Sequence, residues 1–206
     1  MDLLGRQNAF NAQTFKNVVH KSQHFQAKEF TDCTFVKCVF SESIFAECSF
    51  QNCVFKDCDL NLIQLPGCTF METRFENSRL AGVNWTETSL AKNKILLGKT
   101  VDFTGCALNH SIFMWLNLKG VGLTKCVARE VDFSEADLSE ADCRGTDFEN
   151  SRFWHTNLTG ADFRGAVNYS IAANLNTLKK TKFSLPEAMA LLYSLDIVLD
   201  ENEERP

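Results

Sequence analysis

The sequence is poor in proline, in aromatic side chains that can hydrogen-bond, and in positive charge. Its 206 residues contain 3 Pro, 2 Tyr and 3 Trp but 18 Phe, and its net charge is −5. It has no apolar run of about 18 residues and no basic, apolar leader at its start, so we expect no membrane segment and a cytoplasmic protein. The acidic balance argues against direct nucleic-acid binding, because phosphate contacts need clustered Lys and Arg.

The residues that usually carry chemistry do not form a recognisable constellation. His20, His24, His110 and His155 show no metal-ligand spacing, and the nine Cys are too widely spaced for a zinc site. Phosphate-binding loops and nucleophile elbows are also missing from the sequence. We therefore predict free buried thiols, no metal, no cofactor and no enzymatic activity.

Phenylalanine recurs with a period of five residues. Every Phe before residue 100 lies at a position divisible by five, and Leu, Trp and Ile fill most of the remaining positions of this register. After residue 100 the bulky apolar residue returns three positions out of step, at Phe103, Phe113, Phe133, Phe148, Phe153, Phe163 and Phe183 among others. We call these bulky positions the centres.

A small residue, most often Cys, Ser or Ala, precedes the centre by two positions, as Cys33 precedes Phe35. A single helix or flat strand cannot keep a five-residue period on one side, so the chain must turn at every repeat. Seven Gly lie two residues after a centre, where a type II turn needs positive φ, and Leu65-Pro66-Gly67 has the residues of such a turn. Four short sides then close a coil of 20 residues, and stacked coils bury the centres in a column.

Two segments depart from this pattern. The change of register predicts extra chain as a loop at 96–102, which is either a tolerated insertion or a projecting contact element. After Phe183, Ser184 and Glu187 resemble a helix N-cap, and apolar residues at helical spacing predict a helix over about 185–195. We accordingly divide the chain into a repeat region, 1–183, and a C-terminal helix with an acidic tail, 184–206. The apolar residues that we expect to cap the column or to contact a second copy are Leu185, Met189, Leu192, Leu195, Ile197 and Leu199.

Negative charge is concentrated in one stretch of the C-terminal half. Residues 130–149 contain eight acids and one Arg, so this single coil has a net charge of −7. We refer to these acids as the acidic band, and its members are Glu130, Asp132, Glu135, Asp137, Glu140, Asp142, Asp147 and Glu149. The band is either a solvated surface or a surface that imitates the charge of a nucleic-acid backbone.

The repeats resemble those of the pentapeptide-repeat family, whose motif is a small residue, Asp or Asn, Leu or Phe, and two polar residues. The segments ADLSE (136–140), ADCRG (141–145) and ADFRG (161–165) carry this resemblance. It implies an all-β fold, a right-handed quadrilateral β-helix, ending here in a short C-terminal helix.

Segments outside the bare motif are similar to the gyrase-protecting group of this family, closest in appearance to its albicidin-resistance members. They include NLIQLP (61–66), FMETRF (70–75), GVNWT (82–86) and FSLPEA (183–188). This resemblance implies a homodimer, joined through its C-terminus, that binds DNA gyrase, or topoisomerase IV, as a DNA mimic. The binding would counter a poison such as albicidin, microcin B17 or a quinolone.

The resemblance also implies which residues make contact with the enzyme. We expect the acidic band to be the main contact and the loop residues Leu96, Leu97, Gly98 and Lys99 to be a second one. The competing hypothesis is a non-enzymatic structural or adaptor solenoid whose faces bind an unrelated protein.

Overall fold

A computed structural model describes residues 7–89, 101–195 and 197. The chain winds as a parallel β-solenoid in which each side pairs with the side 20 residues further along, as in Phe10↔Phe30 and Phe15↔Phe35. This confirms the predicted β-helix with four five-residue sides. The described residues include no helix that is both long enough and apolar enough to cross a membrane.

The described residues form twelve short strands: β1 (Ala9–Asn11), β2 (Thr14–Lys16), β3 (His24–Gln26), β4 (Glu29–Thr31), β5 (Thr34–Val36), β6 (Ile44–Ala46), β7 (Ser49–Gln51), β8 (Val54–Lys56), β9 (Thr69–Met71), β10 (Thr73–Glu76), β11 (Val101–Thr104) and β12 (Gly122–Thr124). They pair in parallel sheets with the orders β1-β4-β7-β9, β12-β11-β10-β8-β5-β2 and β3-β6. In the same part of the chain, 3-10 helices span Trp85–Glu87 and Glu187–Leu195. Later coils are joined mainly by isolated bridges, such as Asp132↔Arg152.

The centres form the core. Phe35 stacks on Phe15 and Phe55, with ring centroids 4.9 and 4.5 Å apart, and meets Phe30 and Phe40 edge-on at 5.3 and 6.0 Å. Rings therefore stack along each side of the solenoid and pack edge to face around each coil. Offset stacking and edge-to-face contacts are the favourable geometries for aromatic rings. The ring contacts therefore stabilise the column beyond the free energy gained by burying the side chains.

The small residues before the centres also form hydrogen bonds to the backbone. The Ser43 hydroxyl donates to the carbonyl of His20 at 2.7 Å, and the Cys33 thiol approaches the carbonyl of Phe10 at 3.5 Å. Each acceptor is the centre of the preceding side in the coil below, so the small side chain gives a corner carbonyl a hydrogen-bond partner. Burial raises the pKa of the Cys53 thiol to about 12, which keeps it protonated and able to donate.

The turns require positive φ two residues after each centre. All seven glycines predicted to lie there have φ between 64 and 72°. Many other residue types adopt φ near 50–60° at the same position, among them Asn52 and Glu140. The corner geometry is therefore imposed by the coil, and it does not depend on glycine.

The centre positions of His20, Ala128 and Asn168 do not hold a bulky apolar residue, and the three side chains are placed differently. Ala128 is fully buried and His20 stacks on Phe40 with centroids 6.3 Å apart, so both face inward. Asn168 is exposed with φ of 59°, and the buried Tyr169 takes the inward place. The inward position is therefore displaced by one residue at this corner, while the following sides keep the spacing of 20 residues, as in Asp162↔Lys182. Burial raises the pKa of the Tyr169 hydroxyl to about 12.

The register change in mid-chain is an insertion of eight residues. β10 pairs with β11 through Thr73↔Val101 and Phe75↔Phe103, a separation of 28 residues, whereas neighbouring coils elsewhere are 20 residues apart. The predicted loop at 96–102 is thus wrong at its end, because Val101 and Asp102 pair with β10 as part of β11. Its other residues, including Leu96, Leu97, Gly98 and Lys99, lie outside the described residues.

The C-terminal helix differs from the predicted helix. It is a 3-10 helix that begins at Glu187, two residues later than expected, and Met189 N–H donates to Pro186 carbonyl with the i→i−3 spacing of a 3-10 helix. Ser184 is not its N-cap, because the Ser184 hydroxyl accepts from Gly165 N–H at 2.9 Å. This bond ties the start of the helix to the preceding coil.

The residues that cover the column are not the expected ones. Ala190 and Leu191 pack against the core, and Ser194 Oγ accepts from Ala173 N–H at 2.9 Å. A 3-10 helix repeats every three residues, so its inner face differs from that of the predicted helix. Leu185, Met189, Leu195 and Ile197 are exposed, Leu192 is half-buried and Leu199 lies outside the described residues.

Candidate partner-binding surface

The acidic band encircles the solenoid and does not cover one side of it. Glu130, Glu135 and Glu140 occupy the second turn residue of three successive corners, each with φ between 56 and 60°. Asp132 and Asp137 pair with residues 20 further along, on two different sides. A spacing of five residues moves each acid to the next side, so these carboxylates present charge in every direction.

The aspartates of the band stabilise the turns of the fold. Asp132 Oδ1 accepts from Ser134 N–H at 2.9 Å, and Asp137 Oδ1 accepts from Ser139 N–H at 2.9 Å. Asn117 makes the same bond to Lys119 N–H at 3.2 Å. An Asp or Asn before the centre therefore satisfies the amide after it, as in an Asx turn. The recurrence of both residue types at this position was the available sequence signal for this role.

Basic residues of the band and of neighbouring coils neutralise much of its charge. Arg129 pairs with Asp147 and Glu149, with nitrogen–oxygen distances of 2.7 and 3.0 Å. Arg144 pairs with Asp142 at 2.7 Å, and its hydrogen bond lowers the pKa of that carboxyl group. Further pairs join Arg152 to Asp132, Lys119 to Glu140 and His110 to Glu130. The net −7 of the isolated coil thus overstates the local field.

Glu135 stands apart from the other band acids. It is exposed, and among the described residues its carboxylate makes neither an ion pair nor a side-chain hydrogen bond. Within the acidic band, Asp137 also makes no ion pair with the described residues, but its carboxylate accepts a hydrogen bond from Asn157 Nδ2 at 3.0 Å. Glu135 is therefore the acid whose charge is most available to a partner.

The described residues contain no group of three or more His, Cys, Asp or Glu placed to hold a metal ion. All nine cysteines are buried and free. The pKa of Cys143 is raised by desolvation, as is that of Cys53. Protonated, buried thiols are poor nucleophiles, so Cys53 and Cys143 serve the core.

Comparison with known proteins identifies the repeat. The sequence matches the family profile "Pentapeptide repeat region" over residues 28–99 and the profile "Pentapeptide repeats (8 copies)" over residues 117–154 and 129–165. No curated protein sequence matches the chain significantly.

Two solved structures of QnrB1 share the fold at low sequence identity. One is a trypsin-treated variant of QnrB1, a plasmid-mediated fluoroquinolone resistance protein, with 17% identity, a TM-score of 0.58, and coverage of 93% of this chain and 98% of that one. A second trypsin-treated QnrB1 variant gives 16% identity, a TM-score of 0.56, and coverage of 93% and 99%. HetL, from the cyanobacterium Nostoc, aligns over 86% of this chain and 90% of its own with 14% identity and a TM-score of 0.40. From its repeat, its coils and its matches to the family profiles, this chain belongs to the pentapeptide-repeat proteins.

Proposed function

We propose that this protein binds DNA gyrase and protects it from a poison, without catalysing a reaction itself. The observation that carries the proposal is the ring of exposed carboxylates at Glu130, Glu135 and Glu140 on a narrow β-helical rod. The likeness of 61–66, 82–86 and 183–188 to the gyrase-protecting group supports it. The shared fold with QnrB1, a fluoroquinolone resistance protein, agrees with it.

The rod acts by occupying the positively charged saddle on which gyrase holds duplex DNA. It thereby competes with the duplex or destabilises the cleavage complex that the poison traps. Duplex DNA carries one charge per about 1.7 Å, far more than a net charge of −5 supplies over the same length. Mimicry here therefore depends on rod shape and on the exposed glutamates, and the association weakens as salt rises.

The protein acts as a cytoplasmic homodimer joined through its C-terminal segment. The exposed apolar side chains of Leu185, Met189, Leu195 and Ile197 support this part of the proposal, with Leu185 showing 76% of its surface. A cluster of large apolar side chains on the surface is the usual signature of an interface. Two rods joined end to end present a longer charged surface than one.

The test is a supercoiling and cleavage assay with purified gyrase. The protein is titrated in with no poison, with albicidin and with a quinolone, and topoisomerase IV is assayed in parallel. We expect added protein to restore supercoiling and reduce double-strand breaks in the presence of albicidin, the poison that the sequence resemblance favours. Protection against the quinolone alone would move the assignment to that poison. Unchanged supercoiling and cleavage in every arm would remove the proposal in favour of an adaptor solenoid.

A pair of matched triple variants tests the role of the glutamates. One replaces Glu130, Glu135 and Glu140 by Lys, and the control replaces Glu42, Glu47 and Glu72 by Lys. All six residues are exposed and have positive φ at the same turn position, so the two variants change charge equally. We expect the first variant to lose at least about tenfold in protective potency and the control to lose little. Equal losses would show that charge position does not matter.

A further inference from the structure

One corner of the solenoid carries two exposed tryptophans on either side of Glu135. The backbone N–H of Trp115 donates to the Ser134 carbonyl at 3.1 Å, and the backbone N–H of Glu135 donates to the Trp154 carbonyl at 2.7 Å. These bonds stack three successive turns directly above one another. We call this surface the tryptophan corner, and its residues are Met114, Trp115, Ser134, Glu135, Trp154 and His155.

The two indoles are exposed far more than the fold requires. Trp115 shows 58% of its surface and Trp154 shows 49%, whereas Trp85, a centre on the same side of the solenoid, is fully buried. Most turn positions on other corners hold small or polar residues, such as Gly120 and Asn150, although Leu62 is exposed at one of them. Tryptophan is enriched among the residues that dominate the energy of protein interfaces, so two of them on one corner indicate a contact surface.

The turn between the two indoles contains unused hydrogen-bonding capacity. Ser134 Oγ is buried and has no hydrogen-bond partner. Glu135, next to it, has neither an ion pair nor a side-chain hydrogen bond among the described residues. A buried hydroxyl without a partner costs free energy, and in a native structure it calls for an explanation. The exposed Glu135 carboxylate can accept hydrogen bonds from a ligand that donates, whereas Ser134 Oγ is buried.

We infer that the tryptophan corner binds an arginine side chain of a protein partner. Successive coils are about 4.8 Å apart. A cation bound at the Glu135 turn therefore lies about 5 Å along the solenoid axis from the coil of Trp115 and from the coil of Trp154. This separation is within the roughly 6 Å range of cation–π attraction. Arginine fits better than lysine, because its planar guanidinium stacks on indole while its N–H groups donate to a carboxylate.

Charges around the corner favour a cationic partner over a nucleic acid. Arg152, on the adjoining side, is paired with Asp132 at 3.3 Å, and the ring of His155 lies 5.2 Å from that of Trp154. Glu135 would repel a phosphate group placed between the indoles. Stacking of nucleic-acid bases on the indoles would need nearby basic residues to hold the backbone. This inference does not depend on which protein carries the arginine.

The test uses the three indole N–H signals of the full-length protein labelled with 15N-tryptophan. The probe is the pentapeptide Gly-Arg-Gly-Arg-Gly, with the corresponding lysine peptide and a single-stranded oligothymidylate as comparisons. We expect the signals of Trp115 and Trp154 to shift saturably with the arginine peptide while the signal of Trp85 stays in place. Each signal is assigned by the loss of one peak in Trp115→Phe and Trp154→Phe.

Two variants separate the site from general attraction between opposite charges. Glu135→Gln should weaken peptide binding about tenfold, since a charge-assisted hydrogen bond is lost. The control Glu140→Gln should bind as the parent does, because Glu140 has the same turn position but already pairs with Lys119 at 3.1 Å.

Three results would overturn the inference. They are the absence of saturable indole shifts, equal binding by Glu135→Gln, and a response to lysine or oligothymidylate as strong as that to arginine. The experiment contains no gyrase, so its outcome is separate from that of the supercoiling assay.

Discussion

The first and last coils of the solenoid use one lattice but different chemistry. From Ala9 to Glu76 the sides are mostly three-residue strands with Phe centres, and Cys is the commonest residue two positions before them. Beyond Thr124 the sides are joined by isolated bridges, and the centres include Leu, Ala and Cys as well as Phe. The coil therefore requires a bulky inward residue and a small neighbour, and it leaves open which residues supply them.

The turns differ in the same way. In the later coils the turn is usually closed by a hydrogen bond from the small residue to the centre, as from Ala141 N–H to Leu138 carbonyl at 3.1 Å. In strand-forming sides of the first coils, Thr34 N–H donates to Gln13 carbonyl at 2.8 Å, and the equivalent later amide, Asp142 N–H, donates to Val121 carbonyl at 2.9 Å. Both halves therefore keep the hydrogen bonds between coils, and the second half adds the local turn bond more often.

The largest effect should come from deleting a core ring in the first half. Phe35→Ala should lower the free energy of unfolding by about 4 kcal/mol, and Leu138→Ala by about 3 kcal/mol, because each leaves a cavity. Phe35 additionally loses contacts with four rings. Chemical denaturation gives the free energies, and hydrogen exchange locates the loss. In a solenoid with nearest-neighbour coupling, amides of the other half should keep their protection. Equal loss of protection in both halves would contradict this.

A smaller effect should come from the hydrogen bonds of the small residues. Thr156→Val keeps the shape but removes the bond from Thr156 Oγ1 to Phe133 carbonyl at 2.9 Å, and should cost about 1 kcal/mol. In the first half, Cys53→Ser should change stability by less than about 1 kcal/mol, because a hydroxyl makes the same bond as the thiol. Denaturation midpoints of the two variants check this pair. A larger loss for Cys53→Ser would mean that sulfur volume matters more than donation.

The smallest effect should be acid sensitivity of the later coils. Hydrogen bonds from Arg144 and Arg164 lower the pKa of Asp142 and Asp162. A carboxyl group with a lowered folded pKa stabilises the fold above its unfolded pKa of about 3.9, and this stability is lost as pH falls through the lower folded value. Hydrogen-exchange protection measured at pH 7 and pH 3 should therefore fall more in the second half.

The matched variant for the acid experiment is Asp162→Asn. Asn keeps the oxygen that accepts from Arg164 N–H at 3.1 Å but removes the charge. Its last coils should lose less protection between pH 7 and pH 3 than those of the parent. An unchanged loss would assign the acid sensitivity to other carboxyl groups.

The fold was predictable because its period is visible in one residue type. Phenylalanine at every fifth position identifies the inward side, and the glycines two residues later mark corners that other residue types also form. The one-residue displacement at Asn168 was not predictable from the period, since only packing shows that Tyr169 takes the inward place. The length of the insertion was hidden for a related reason: adding five residues leaves a five-residue register unchanged, so three and eight extra residues look alike.

The candidate site was only partly predictable. The spacing of Glu130, Glu135 and Glu140 already implied that they lie on successive corners, but the partners of Glu130 and Glu140 come from residues about 20 positions away, as with Lys119 and Glu140. The aligned exposure of Trp115 and Trp154 also depends on the vertical stacking of coils. Contacts between coils, unlike the period within a coil, require the register of the whole structure.

The direct pairing of β10 with β11 has a consequence for how such a rod can change. The eight additional residues of this coil shift no pairing between the described strands, since Phe75 still pairs with Phe103 and Arg79 with Ala107. Shortening the chain by that amount would restore an unbroken spacing of 20 residues. An insertion here is therefore compatible with an unbroken column, so the scaffold does not dictate the chain length of this coil.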